Sequence, residues 1–225
     1  MTRIALVHAT PAAVDPIKAA FAEAWPEPDL VNLLDDSLSR DRALASELTD
    51  GIFRRFDALG RYALSFGAEA ILFTCSAFGP AIERVARSVT IPVLKPNEAM
   101  FTEAIAIGGR VGMLATFEPS IASMTEEFEE QASRAGAPAT LKSVLVPRAM
   151  TALQAGRREE HDAQVAEAAA QLTGCDAIML AQFSMAPAAV RLRGQTSIPV
   201  LTSPASAVAA LKSRLASAGG SAGSG

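Results

Sequence analysis

Slid against itself by 107 positions, the 225-residue sequence aligns Arg3 with Arg110, Phe21 with Phe128, Gly67 with Gly174, and Ala70-Ile71 with Ala177-Ile178. The same offset brings Ile91-Pro92-Val93-Leu94 onto Ile198-Pro199-Val200-Leu201. One register from end to end predicts a duplicated fold whose halves are related by a pseudo-twofold axis. Short apolar runs rich in Ile, Val and Leu recur in both copies, at Ile4 to Val7, Leu30 to Leu34, Ala70 to Phe73 and Pro92 to Leu94, then at Val111 to Leu114, Leu141 to Val146, Ala177 to Leu180 and Pro199 to Leu201. Stretches of helical periodicity lie between them, such as DPIKAAFAEAW and, from Ser120, SIASMTEEFEEQASRAG. This alternation means βαβ units and parallel sheets, hence an α/β fold of two duplicated halves. Such sheets bind ligands at the carboxyl ends of their strands. The expected organisation is a first half at residues 1–107, completed by a C-terminal helix at about 204–216, and a second half at 108–203. The stretch 217–225, within ASAGGSAGSG, reads as a flexible low-complexity tail.

Half of the residues are hydrophobic and a fifth charged, enough to bury sizeable cores. The formal charge of −4 comes without a run of Lys or Arg, which excludes the electrostatic footprint of a nucleic-acid or anionic-membrane partner. A small-molecule partner fits better. The opening MTRIALVHAT has too short an apolar run for a signal peptide, and no stretch approaches the ~18 apolar residues of a spanning helix. A cytoplasmic location is expected. The two cysteines, Cys75 and Cys175, have no metal-ligand spacing and are expected to be free thiols.

The duplication is broken at one informative point. Residues 73–82 read FTCSAFGPAI and residues 180–189 read LAQFSMAPAA, with Pro80 and Pro187 at the same offset, yet Cys75 is answered by Gln182. Cys75 follows a strand and precedes the expected helix AFGPAIERVARSV, whose free N–H groups and dipole would favour a thiolate. Cys175 opens the strand CDAIML at its other end and is matched by Ala68, so it reads as structural.

These motifs, FTCSAFG at 73–79, GMLATF at 112–117 and IMLAQFSMA at 178–186, resemble the aspartate/glutamate/hydantoin racemase superfamily, which also contains maleate isomerase and arylmalonate decarboxylase. The resemblance runs from residue 1 to about 215. It implies cofactor-independent chemistry on a small carboxylate, at the carbon next to the carboxyl group, with the active site between the two halves. In the family's racemases two cysteines face each other across the substrate. A carboxamide at Gln182 cannot serve as a base, so the symmetrical mechanism is lost.

Three readings of the single thiol then stand side by side. Cys75 protonates an enediolate left by a departing group, as in the decarboxylase branch, whose one cysteine belongs to the second half. Alternatively it adds as a nucleophile to an unsaturated or carbonyl substrate, as in the isomerase branch, or it moves a proton on one face of the substrate. A fourth reading, a carboxylate-binding protein without turnover, keeps the pocket and leaves the thiol idle.

The resemblance implies catalytic roles for Cys75, Ser76 and Thr116. It implies substrate contacts from His8, Thr10, Thr74, Ala77, Phe117, Gln182, Phe183 and Ser184. The hydroxyls of Ser76, Thr116 and Ser184, with nearby backbone N–H groups, would hold the carboxylate, a task compatible with helix capping. For His8, at the tip of the first strand and matched by Ala115, a ligand role and a hydrogen-bonded structural role are equally open. His161 reads as part of a solvated helix start, and Asp35 or Asp36 as caps. Phe73, Phe78, Phe117 and Phe183 near the site suggest an apolar group beside the carboxylate, while Lys95 and Asn97 follow the fourth strand and are placed to reach inward. Members of the superfamily often self-associate, so a homo-oligomer is among the expected partners.

Overall fold

Every apolar run in the sequence forms a strand in the computed structural model, which describes residues 1–221. The strands are β1 (Arg3–His8), β2 (Asp29–Leu34), β3 (Ala70–Phe73), β4 (Val93–Leu94), β5 (Arg110–Ala115), β6 (Thr140–Leu145), β7 (Ala177–Leu180) and β8 (Val200–Thr202). They make two four-stranded, wholly parallel sheets, ordered β2-β1-β3-β4 and β6-β5-β7-β8. The fold is therefore α/β with the same order twice.

The helices are α1 (Val14–Ala24), α2 (Leu38–Leu44), α3 (Asp50–Ser65), α4 (Gly79–Ser88), α5 (Glu98–Ile107), α6 (Pro119–Arg134), α7 (Pro147–Gln154), α8 (Arg158–Ala168), α9 (Ala188–Arg193) and α10 (Ser203–Ser221). The chain forms two units of packing, residues 1–96 with 204 onward, and residues 97–203. The segment 97–107, counted above with the first half, packs as α5 against α6, β7 and β8 in the second unit. Of the expected tail at 217–225, residues up to Ser221 continue α10, and 222–225 lie outside the described residues.

The duplication does not hold in one register throughout. Strand pairing sets Arg3 beside Asp29 and Arg110 beside Thr140, so the offset is 107 between Arg3 and Arg110 but 111 between Asp29 and Thr140. The reason lies in the preceding helix, 11 residues in α1 and 16 in α6. A helix on the face of a sheet can lengthen by a turn without disturbing the strands, and the 107 offset is recovered at β7, where Ala177 matches Ala70.

The inner strands β3 and β7 are buried along their whole length. Burial on both faces is what a sheet sandwiched by helices demands. In the second unit the period of two divides β5 and β7 between two cores. Leu114, Ile178 and Leu180 pack with Val165, Leu172 and Leu192, while Val111, Met113 and Met179 pack with Phe101, Met124 and Phe128. In the first unit Phe56 of α3 sits 5.2 Å from the ring of Phe73 and 5.0 Å from that of Phe78, centroid to centroid.

The contact of α3 with α4 depends on Gly60. A Cβ there would lie 2.6 Å from Cγ1 of Val85, closer than carbon atoms can approach. Mid-helix alanine normally gains about 1 kcal/mol over glycine. Here Gly60→Ala is expected to lower the melting temperature instead, through overpacking worth ~1–3 kcal/mol. Thermal unfolding should show Gly60→Ala/Val85→Ala melting above the Gly60→Ala single variant.

Candidate functional site

In each sheet the chain leaves the first strand toward one edge and later returns on the other side of it. The carboxyl ends of β1 and β3, and of β5 and β7, therefore form topological switch points, where open α/β sheets leave a crevice. The register sets Val7 beside Phe73 and Leu114 beside Leu180, which brings the residues that follow each pair into contact.

At the first switch point the Ala9 N–H donates to Sγ of Cys75 across 2.9 Å. The Thr74 hydroxyl oxygen lies 4.0 Å from the same sulfur. It also lies 2.9 Å from Nδ1 of His8 and, at 3.2 Å, within donating reach of the Val7 carbonyl, with one proton to give between them. Nε2 of His8 is 3.0 Å from Oδ1 of Asn32. His8, 0% exposed, thus has both ring nitrogens engaged inside the protein, and burial lowers its pKa against the Asn32 hydrogen bond. It presents no free nitrogen to a ligand.

Cys75 is half-buried, and its thiol does not carry the depressed pKa expected of a helix N-terminus. Burial pushes it up to about 12, against the opposing effects of the Ala9 N–H and the Thr74 hydroxyl. The expectation fails because α4 begins only at Gly79, beyond a turn formed by Ser76 and Ala77, so the free N–H groups of its first turn are not on the sulfur. This direction favours the neutral thiol at ordinary pH. Thr10 caps the short 3-10 turn at Pro11–Ala13 through a 3.4 Å bond from the Ala12 N–H. The Ser76 hydroxyl, half-buried, has no hydrogen bond within the described residues.

The second switch point repeats the bond with a different acceptor. The Thr116 N–H donates to Oε1 of Gln182 at 2.8 Å, and the Thr116 hydroxyl donates to the same oxygen at 3.2 Å. Thr116 matches Ala9 and Gln182 matches Cys75, so the carboxamide oxygen stands where the sulfur does. Its Nε2 donates to Oγ of Ser120 at 2.8 Å, and that hydroxyl donates to the Phe117 carbonyl at 2.7 Å. Both lone pairs of Oε1 are occupied and one N–H of Nε2 remains. Ser184 is buried, its carbonyl taking a 2.6 Å bond from Nη1 of Arg158, and its hydroxyl has no partner within the described residues.

Several expected residues take other places. Phe73, Phe78 and Phe183 are buried rings of the cores, and only Phe117 of the four keeps exposed surface. The expected apolar substrate group thereby loses most of its support. Lys95 is tied to Glu83 at 2.8 Å, and Asn97 is buried with its Oδ1 accepting from Ser203 at 2.7 Å. His161 is fully buried rather than solvated, with Nδ1 on Asp162 at 2.6 Å, and burial lowers its pKa against that carboxylate. Asp35 accepts from the Ser37 N–H and hydroxyl and pairs with Arg55, which outweigh burial and hold its carboxyl below the usual range. Cys175 packs at the foot of β7, where a Cβ on Gly112 would meet its sulfur at 3.2 Å.

Four residues at the switch points carry no motif in the sequence. Asn32 and Ser39 reach His8 and the Ala9 carbonyl, and Arg42 and Arg158 reach the carbonyls of Ala77 and Ser184. Ala77 and Ser184 are themselves 107 apart, so each half brings a guanidinium to the same carbonyl. A groove of about 640 Å³ beside α8 and α9, lined by Ala163, Ala166, Arg191, Leu192 and Ile198, holds none of the expected site residues. Among the described residues no helix is long and apolar enough to cross a membrane.

The model of the Asp/Glu/Hydantoin racemase family matches residues 4–211. Solved structures share the fold at low identity. A glutamate racemase isoform from Bacillus anthracis superposes with a TM-score of 0.76 at 14% identity, over 97% of this chain and 83% of its own. Allantoin racemase from Klebsiella pneumoniae gives 0.66 at 19%, over 96% and 88%, and a variant of arylmalonate decarboxylase gives 0.63 at 15%, over 93% and 92%. No curated protein matches the sequence.

A neutral thiol has a direct signature. The rate of Cys75 alkylation by iodoacetamide, followed by mass spectrometry with Cys175 as internal control, should keep rising through pH 10. A plateau below pH 9 would show a thiolate that burial forbids.

Proposed function

The chain belongs to the Asp/Glu/hydantoin racemase family, and we propose that it is a cofactor-independent enzyme acting on a small carboxylate, in which Cys75 serves first as a proton donor. The observation that carries this reading is the setting of the one thiol at a switch point, a sulfur that accepts the Ala9 N–H and whose burial pushes its pKa up to about 12, which favours the protonated form. An acid must hold its proton until the carbanion forms, and a base or nucleophile must already have lost it. In a malonate-type substrate, the bond from the α-carbon to one carboxyl group breaks and carbon dioxide departs with neither electron of that bond. The pair stays as an enediolate, the Cys75 S–H delivers its proton to the α-carbon, and the thiolate is returned to thiol by a proton from water.

The remaining carboxylate needs donors that the protein does not already use. At the switch point that holds Cys75, the hydroxyl of Ser76 and neighbouring backbone N–H groups meet that requirement, with Thr10 on the same unit. Donors aimed at the developing charge are commonly worth ~3–4 kcal/mol each in the transition state. Gln182, at the position equivalent to Cys75 in the duplication, has no proton to exchange at ordinary pH, so one thiol alone supplies the proton. Addition of Cys75 to an unsaturated acid is a weaker reading, since it starts from a thiolate.

Proton NMR in D₂O on a panel of malonates and α-substituted carboxylates tests the proposal. Deuterium entering the α-position on loss of carbon dioxide, with native protein and not with Cys75→Ala, is the expected result. The product should be of one hand, opposite to that expected of the decarboxylase branch from an equivalent pose; a racemic product would sink the single-donor mechanism. Gln182→Cys, which returns a thiol to the Thr116 N–H, is expected to add α-deuterium exchange of the product.

A further inference from the structure

We propose that His8 is a positioning residue for Cys75, acting through the Thr74 hydroxyl, whose single proton it either draws to the ring or releases to the sulfur. The inference rests on the reading of Cys75 as the proton donor and concerns what happens to the sulfur once its proton has gone. Thr74 Oγ1 has three neighbours within reach: Nδ1 of His8 at 2.9 Å, the Val7 carbonyl at 3.2 Å and Sγ of Cys75 at 4.0 Å. A hydroxyl has one proton to give. His8 is buried completely, so the state of its Nδ1 decides where that proton points.

With Nε2–H donating to Oδ1 of Asn32 at 3.0 Å, the neutral ring presents a bare Nδ1 that takes the Thr74 proton. The sulfur then receives only the Ala9 N–H and is best left as a thiol. When Nδ1 also carries a proton, supplied by water, the ring donates to Thr74 Oγ1, and the freed hydroxyl proton turns to the sulfur once that is charged, since a thiolate outcompetes the neutral Val7 carbonyl at 3.2 Å. Asn32 keeps its orientation throughout, since Oδ1 accepts from Nε2–H in both states. The chain Asn32, His8, Thr74, Cys75 therefore runs in one direction for the thiol and the other for the thiolate. Among the described residues no charged side chain bonds the ring, and Asn32, at its outer end, is exposed.

The second half supplies the contrast. His8 is matched by Ala115 and Thr74 by Ala181, so where the acceptor is a carboxamide that never ionises the two links next to it are missing.

Alkylation of Cys75 tests this without a substrate, so silence in the turnover panel leaves it decidable, and turnover with an unchanged alkylation profile would sink it alone. The rate is measured from pH 6 to 10 in native protein and in His8→Phe, His8→Gln, Thr74→Val, Thr74→Ser and the His8→Gln/Thr74→Val double variant. Near-ultraviolet circular dichroism and the Cys175 rate report the fold. A hydrogen bond to a charged group is worth roughly tenfold in the thiolate population. Thr74→Val, His8→Phe and His8→Gln are each expected to slow Cys75 roughly tenfold at a given pH, with Thr74→Ser near native. The double variant should be no slower than Thr74→Val. Equal slowing by the His8 change in the presence and absence of the Thr74 hydroxyl, or no slowing at all, overturns the proposal. Should His8→Phe not fold, His8→Gln carries the same comparison.

Discussion

A backbone N–H at the end of the first strand of each sheet needs an acceptor, and the side chain at the end of the third strand supplies it. Ala9 finds the Cys75 sulfur and Thr116 finds the Gln182 carboxamide, at 2.9 and 2.8 Å. Both N–H groups lie just past the ends of β1 and β5, beyond the last paired residues of the ladders with their neighbouring strands. Leaving such a group unpaired in a buried setting costs about 1–3 kcal/mol. The acceptor position is thus fixed by the sheet before any chemistry is asked of it. This explains the nature of the substitution in the duplicated site: a thiol lost from that position must be replaced by another acceptor, and glutamine satisfies the bond where alanine would not.

The same demand decides what each position can do. Sulfur in this setting accepts the N–H and keeps a transferable proton. The carboxamide accepts it through Oε1 and anchors Nε2 on Ser120, leaving one N–H and no proton exchange. Two equivalent places in the fold therefore hold an acid and a donor. Burial sets the acid's strength: with α4 starting at Gly79, nothing at the sulfur compensates for lost solvation except one N–H and a hydroxyl at 4.0 Å. A thiol so placed is suited to giving up a proton to a strong base such as an enediolate, and poorly suited to taking one from a carbon acid at rest.

The strands are legible in the sequence because they are buried on both faces, which forces near-continuous apolar runs such as AILF and AIML that no amphipathic helix would show. The duplication, and with it the pairing of Cys75 with Gln182, is legible for the same reason. The register slip at β6 is not, since the extra residues enter in α6, where helical sequence tolerates length changes. Ring burial also escapes sequence reasoning: Phe73 on β3, Phe78 just before α4 and Phe183 in the short 3-10 turn after β7 lie within the motifs, yet all three rings turn into the cores. Asn32, Arg42 and Arg158 come from elements that precede or follow the motifs by dozens of residues, and no local spacing announces them.

The two arginines extend the principle seen at the acceptor positions. The carbonyls of Ala77 and Ser184 occupy equivalent points, each in the turn that leaves the third strand of its sheet, where no ladder partner is available. One is met by Arg42 from α2 and the other by Arg158 from the start of α8, helices that are not equivalent in the duplication. A copied ancestral side chain would have come from matching positions. Different suppliers at the same carbonyl mean that the backbone's need, set by the strand order, outlasts the residue that first met it. The proton chain of the first half has no such geometric compulsion: Ala115 and Ala181 replace its histidine and threonine, and the Ala181 N–H bonds the Leu114 carbonyl as the Thr74 N–H bonds that of Val7. Where the fold does not require a polar group, its presence beside Cys75 and absence beside Gln182 is best explained by the ionisation of the sulfur.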